Sequence, residues 1–305
     1  MSDVLEARPA DDARSGSLSW SRTVDRELVH RSSVAEVLLT DVRPRAPGEF
    51  LAAACWGRSH PTFPRGRDDR HSPWMVAETT RQLGIYVPLR HYAVPGTARF
   101  LVTDLCFTLD PAAEPRPGHG ASEITCRVWV HDVRTARETG LVTGLRMRVS
   151  YQAGGTVFAT AAGGARFLDA AAYAALRAGA RPAAPSGAAA RPEPAVLGLW
   201  SPADVVLSLA GDGPLLDPAD HRHPFLFDHE TDHVPGMALL EAARQAAALD
   251  SAGTFLRPTF CHMKALRFTE HCPRARVECS RYGRTAVFRF RQNGAVTAAG
   301  VLRYG

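Results

Sequence analysis

The sequence predicts an α+β protein built from two copies of one unit. Three observations carry that expectation: an internal repeat, one long apolar helix in each copy, and runs of strand-like residues after each helix. The repeat is the strongest of them. "DRHSPWMVAETTRQLG" starts at Asp69 and "DHVPGMALLEAARQAA" at Asp232; at an offset of 163, Asp69 meets Asp232, Glu78 meets Glu241, Arg81 meets Arg244 and Gln82 meets Gln245. The shared core is D-x8-E-x2-RQ. At nearly the same offset "EVLLT" matches "DVVLS", "SHPTF" resembles "RHPFLF", and "RFLVTDLCF" resembles "TFCHMKALRF".

The elements follow in the same order in each half. Residues 1–20 are polar and mixed in charge and are expected to be a disordered N-terminal segment. The first unit, 21–168, is read as a first strand and loop, the Glu78 helix, and strands near "ARFLVTDLCFTL", "EITCRVWVH", "LVTGLRMRVSY" and "TVFATAAGG". Residues 169–195 are rich in Pro, Gly and Ala and read as a linker with a short helix at its start. The second unit, 196–305, repeats the order with the Glu241 helix and strands near "HMKALRFTE", "ARVECSR", "TAVFRFRQ" and "VTAAGVLRY". One helix followed by antiparallel strands that curve around it is the shape of a hotdog domain, so the whole is expected to be a double hotdog with one continuous sheet.

The Glu241 helix, "PGMALLEAARQAAAL", is apolar or small all round except for Glu241, Arg244 and Gln245, which predicts burial. Spacing of i, i+3 and i+4 puts the three on one face, and buried ionisable groups need partners. Two readings stay open: a structural ion pair locking the halves together, and a duplicated site. Just upstream, "HETDH" (His229–His233) has the HExxH spacing of zinc hydrolases, which requires a helix through both histidines. Pro235 starts a helix rather than continuing one, so no metal is predicted, and Asp232 is expected to cap the new helix.

Composition excludes several classes. A hydrophobic fraction of 45 % is that of an ordinary globular protein, and neither a signal-peptide core nor a long apolar run is present, so a cytoplasmic protein off the membrane is expected. The six cysteines form no CxxC pair and read as buried free thiols. The net charge of +5 favours an anionic substrate or acidic partner, but the basic residues form no dense run, and nucleic-acid binding is not expected. Lys264 is the only lysine and reads as an ordinary strand residue.

With these residues in place, the chain resembles the A-factor biosynthesis family, the γ-butyrolactone synthases of Streptomyces and relatives. "VHRSSVAEVLLTD", "AETTRQLGIYVPLRHYAVP" and "HPFLFDHETDHVPGMALLEAARQAA" carry the resemblance. It implies a tandem hotdog acyltransferase that joins a β-ketoacyl group, delivered on acyl carrier protein, to the hydroxyl of dihydroxyacetone phosphate, with ring closure to a phosphorylated butenolide. No cofactor is implied. The same segments distantly resemble hotdog β-hydroxyacyl carrier-protein dehydratases, whose loop histidine lies fourteen residues before the helix acid. That count lands on Phe227 from Glu241 and on Pro64 from Glu78, neither a histidine.

Acyl transfer to an alcohol needs a base, donors for the tetrahedral oxyanion, and cations for the phosphate. Glu241 or Glu78, with a pKa raised by burial, is the candidate base. The helix start at Pro235, Gly236 and Met237 can offer N–H groups to the thioester oxygen, and Arg81 and Arg244 can bind phosphate or orient the glutamates. Gln82 and Gln245 complete the two faces, while His229, His233 and His60 are further candidates for substrate contact. The second half is expected to contribute more, because Gly236 leaves room where the first half has Trp74. The rivals are a hotdog thioesterase or dehydratase and a non-catalytic acyl-binding protein; a homodimer is a further expectation.

Overall fold

The structure is a computed structural model that describes residues 17–58, 60, 70–179 and 189–305. The first half contains β1 (Leu39–Ala46), β2 (Glu49–Trp56), α1 (Trp74–His91), β3 (Arg99–Leu109), β4 (Ser122–Thr135), β5 (Val142–Ala153) and β6 (Thr156–Leu168). After α2 (Ala170–Arg177), the second half contains β7 (Leu207–Ala210), β8 (Gly213–Leu216), α3 (Gly236–Asp250), β9 (Pro258–Ala265), β10 (Arg276–Tyr282), β11 (Thr285–Gln292) and β12 (Ala295–Tyr304). Residues 1–16 of the segment expected to be disordered lie outside the described residues, as does Asp69 of the repeat. Ser19, within that segment, donates its N–H to the Asp41 carboxylate at 3.1 Å.

All twelve strands form one sheet in the order β1-β2-β4-β5-β6-β3-β9-β12-β11-β10-β8-β7. The second six strands are the first six in reverse order, with β7 standing for β1 and β9 for β3. The seam is the antiparallel pair β3–β9, where Asp104 faces Lys264, Leu105 faces Met263 and Phe107 faces Cys261. This is the α+β double hotdog, with the continuous sheet expected from the repeat. Lys264 is a strand residue, exposed on β9.

Strand alternation sets which residues form the core. Phe107 and Leu105 on β3, Tyr151 and Val149 on β5, Phe288 and Phe290 on β11, and Cys261 and Met263 on β9 point to the helix side and are buried. α1 packs on β3 and β6, and α3 packs on β10 with lesser contact to β7, β8 and β9. α3 lies close to its strands because Ala238, Ala242, Ala243, Ala246 and Ala247 are essentially unexposed. Leu240, 1 % exposed, contributes about 2 kcal/mol by its burial. On β12, Gly300 has no room for a side chain, since a Cβ there would collide with the His262 carbonyl and the Phe288 ring.

Three local expectations need correction. "EVLLT" and "DVVLS" begin not as strands but as 3₁₀ turns, Val34–Glu36 and Pro202–Asp204, because the Ser33 and Ser201 side chains accept the N–H groups of Ala35 and Ala203. The strand placed over "HMKALRFTE" instead starts at Pro258 and leaves the sheet after Ala265, where Leu266 and Arg267 both donate to the Thr297 carbonyl. β2 and β8, each paired with the strand before it, lie in segments read as loop.

Candidate functional site

The D-x8-E-x2-RQ repeat builds the same polar network twice. On α1, Arg81 holds Glu78 through Nε (2.8 Å) and Nη2 (2.8 Å), and Gln82 donates to Glu78 at 2.7 Å. On α3, Arg244 holds Glu241 through Nε (2.9 Å) and Nη2 (2.6 Å), and Gln245 donates to Glu241 at 2.8 Å. Each arginine and glutamine then reaches the segment that leads into the sheet. Arg81 donates to the Val29 carbonyl and Arg244 to that of Leu197. The Gln82 amide donates to the Glu36 carbonyl and accepts from Leu38 N; the Gln245 amide donates to Asp204 and accepts from Val206 N. Backbone groups at the start of each sheet half are thus satisfied by the helix.

Outside these shared bonds the networks differ. Glu78 takes a second guanidinium, Arg31, through Nε at 3.1 Å and Nη2 at 2.8 Å. Arg31 also crosses to the second half, donating to the Phe225 carbonyl at 2.8 Å and lying over the Phe225 ring at 4.2 Å. Glu241 instead receives the indole N–H of Trp74, the first residue of α1, at 2.7 Å. Both networks therefore tie one half to the other. Glu78 is fully buried, and Glu241 and Arg244 are nearly so.

The carboxylates were expected to have pKa values raised by burial; both are lowered. Burial of Glu78 pushes upward, but Arg31, Arg81 and Gln82 outweigh it and hold the carboxyl at about 2. Burial also pushes Glu241 upward, and Arg244, Gln245 and the Trp74 N–H reverse it. A carboxylate held ionised by this many donors is a weak proton acceptor at neutral pH. Both carboxyls are held below the ordinary carboxylate range by their donors.

Both helices start at a proline N-cap that makes no side-chain cap hydrogen bond, but their surroundings differ. At α1 the Ser72 hydroxyl accepts from Trp74 N and the Ser72 carbonyl from Met75 N. At α3, Pro235 is the N-cap and no side chain caps the helix, and the space where a Gly236 side chain would point is open. Asp232 does not cap α3: it accepts from the Tyr173 hydroxyl at 2.7 Å, from Arg177 and from His233. Arg177 in turn grips Glu270 at 2.6 Å, so α2 is docked on the second half through the start of the segment read as linker. His229–His233 runs as bends and irregular chain, without the helix that an HExxH zinc site requires. Among the described residues no group of three or more His, Cys, Asp or Glu side chains is placed to hold a metal.

The histidines sort into different surroundings. His60 is buried and bonds Glu36 at 3.0 Å; His223 bonds Asp204 at 3.0 Å in the corresponding place, which makes His60 part of the repeated frame. His233 bonds the Asp232 carboxylate at 2.7 Å. His229 is exposed and donates to the Glu230 carbonyl. Sequence reasoning missed Arg31. Extending the "EVLLT"/"DVVLS" match upstream would have singled it out, because it lays "VHR" (29–31) over "LGL" (197–199).

Comparison with known proteins gives the same picture. The chain matches the A-factor biosynthesis hotdog domain over residues 13–169 and 218–261. It is 38 % identical over 256 residues, 81 % of this chain and 84 % of the other, to a 2-oxo-3-(phosphooxy)propyl 3-oxoalkanoate synthase of Streptomyces virginiae. A protein of the same name from Streptomyces griseus is 32 % identical over 251 residues, 80 % of this chain and 81 % of that one. Among solved structures, the 12:0-ACP thioesterase from Umbellularia californica superposes with a TM-score of 0.52 at 11 % identity, covering 86 % of this chain and 99 % of that chain. An acyl-ACP thioesterase from Bacteroides thetaiotaomicron does so with the same TM-score and identity over 85 % and 98 %. At that identity the structural likeness speaks for the fold alone, whereas the sequence match runs through both halves and both helices. The chain belongs to the A-factor biosynthesis hotdog family.

Proposed function

We propose that this protein is an acyltransferase that joins a β-ketoacyl group, carried as a thioester on acyl carrier protein, to the hydroxyl of dihydroxyacetone phosphate. The observation that carries this reading is the likeness, across about four-fifths of both chains, to synthases named for a 3-oxoalkanoate ester of a 2-oxo-3-(phosphooxy)propyl group. The ester is the precursor of a phosphorylated butenolide in γ-butyrolactone signal synthesis. The hydroxyl oxygen attacks the thioester carbon, the C–O bond forms as the C–S bond breaks, and the hydroxyl proton ends on the departing thiol sulfur.

In this reading the uncapped start of α3, at Gly236 and Met237, receives the thioester oxygen, because N–H groups and the positive helix end stabilise a developing oxyanion. Glu78, Arg81, Gln82, Glu241, Arg244 and Gln245 are positioning residues that fix the two helices against the sheet. β3 and β9 pair within one chain, which supports a reading in which the two hotdog units of one copy carry the chemistry. No described helix is long and apolar enough to cross a membrane, and we place the reaction in the cytoplasm, with its carrier-bound donor. The division into units 21–168 and 196–305, joined by 169–195, is part of the same proposal.

The test is to incubate the purified protein with a β-ketoacyl thioester and dihydroxyacetone phosphate and identify products by mass. The phosphorylated ester or its butenolide supports the reading. Free acid points to a thioesterase, and an unchanged thioester to a binding protein.

A further inference from the structure

Each half carries a short 3₁₀ turn, Arg26–Val29 and Pro194–Leu197, that ends in a left-handed residue. In the second half that residue is Gly198, at φ 67°, the ordinary choice for such a turn; in the first it is His30, at φ 49°. The positions are equivalent, because the residue before each, Val29 or Leu197, gives its carbonyl to the helix arginine. A side chain in this conformation carries some strain, and strain of this kind clusters at functional sites. Arg31, standing where the second half has Leu199, is accounted for by Glu78. His30 is not accounted for by the lock.

The His30 ring makes no hydrogen bond among the described residues and meets Phe100 edge-on at 5.0 Å. Three other basic groups come from different elements near it: Arg81 bonds the carbonyl of the preceding Val29, Arg99 adjoins Phe100 in the chain, and His229 follows Asp228, which accepts from Ser32 N. Arg81, on α1, spends Nε and Nη2 on Glu78 and Val29, and its Nη1 has no partner among the described residues. Arg99, the first residue of β3 and neighbour of Phe100, is exposed; it forms no ion pair among the described residues and lies 5.6 Å from the Tyr173 ring. His229 comes from the second-half loop, with its Nδ1 turned to Glu230. Burial, followed by the charges of Arg81, His229 and Arg99, holds His30 down to about 4, so its ring is neutral at pH 7. Arg81 keeps one edge for Glu78 and leaves the other unpartnered, and the exposed Arg99 forms no ion pair among the described residues, so their free N–H groups suit an anion that accepts several hydrogen bonds.

We propose that His30, Arg81, Arg99 and His229 form an anion subsite between the first half and the His229 loop of the second, which takes the phosphate of a phosphomonoester substrate. It rests on the reading of the acceptor as a phosphorylated hydroxyketone, and it places that acceptor beside Glu78 rather than Glu241. The second half has no counterpart, since Gly198 and Leu199 stand where the first has His30 and Arg31. Arg81 does double duty, holding Glu78 with one edge and facing the subsite with the other.

The test is binding of inorganic phosphate and of dihydroxyacetone phosphate to the full chain, by calorimetry, in the wild type, His30→Gly and Arg99→Gln. His30→Gly installs the residue that the second half already uses, so folding is preserved; Arg99 is exposed and outside the buried lock. Loss of one hydrogen bond to a charged group predicts binding weaker by about ten-fold or more in each variant, with the KM for the acyl thioester unchanged. Wild type that binds neither probe, or variants that bind both as the wild type does, would overturn the subsite. Dependence of phosphate binding on these residues in a protein that makes no ester leaves the subsite standing and removes the acyltransferase reading. Ester formation with an unchanged KM for dihydroxyacetone phosphate in both variants does the reverse.

Discussion

Replacing Glu78 by glutamine changes one atom type in a side chain that is 0 % exposed, and the structure sets the consequence. The carboxylate answers two guanidinium groups, through contacts of 2.8–3.1 Å with Arg31 and 2.8 Å with Arg81, and one amide at 2.7 Å. A glutamine keeps one acceptor oxygen and turns an N–H₂ toward the other donors. Arg31, whose side chain is 4 % exposed, is left with the Phe225 carbonyl and with Asp228 at 3.9 Å. Breaking a buried pair in this way costs about 3–5 kcal/mol. Glu241→Gln leaves a single arginine, which keeps the Leu197 carbonyl at 2.8 Å, and is expected to cost about 2–3 kcal/mol. Urea titration gives the difference as a shift in midpoint at constant slope.

The acid limb provides a second reading of the same bond. Glu78 is lowered from an ordinary 4.5 to about 2, so its contribution is present above pH 4.5 and is lost as pH falls through 2. That span corresponds to about 3 kcal/mol, and wild type and Glu78→Gln should converge in stability across it. A Glu78→Gln protein less destabilised than Glu241→Gln, or one that keeps the full acid limb, would refute the lock.

Trp74→Phe removes the indole donor to Glu241 and should cost about 1–3 kcal/mol, read as a lower melting temperature in a protein with an unchanged fold. His30→Gly should flatten stability between pH 6.5 and 4, because a histidine lowered to about 4 gives stability above 6.5 that is lost as pH falls; urea midpoints across that range measure it. The same change relieves about 1 kcal/mol of backbone strain at pH 7. Treatment with a strong chelator should leave ester formation unchanged, since His229 and His233 do not share a helix face; stoichiometric zinc bound through those two residues would contradict this.

The helices and the sheet's symmetry were legible because they rest on periodicity and on a repeat. The apolar run around Glu241 could only be a buried helix, and "VPG" fixed its start to within one residue of the observed Gly236. β2 was not legible: "EFLAAACW" is rich in alanine, and only its pairing with β1 and β4 makes it a strand. The site was half legible for a different reason. The repeat identified the glutamates and their i+3 and i+4 partners, and all but the half-buried Arg81 are buried. The direction of the pKa shifts depended on donors distant in sequence, Arg31 for Glu78 and Trp74 for Glu241, which no local pattern gives. His30 escaped because the repeat changes offset: Gln82 and Gln245 differ by 163, whereas Leu38 and Val206, which bond them, differ by 168.

The most direct measurement is the rate of phosphorylated ester formation from a β-ketoacyl carrier-protein thioester and dihydroxyacetone phosphate, followed by mass in wild type and in His30→Gly. The account predicts ester in the wild type, dependent on the phosphorylated acceptor, and a KM for that acceptor raised about ten-fold in the variant. Release of free β-keto acid at the same rate with and without dihydroxyacetone phosphate would contradict it.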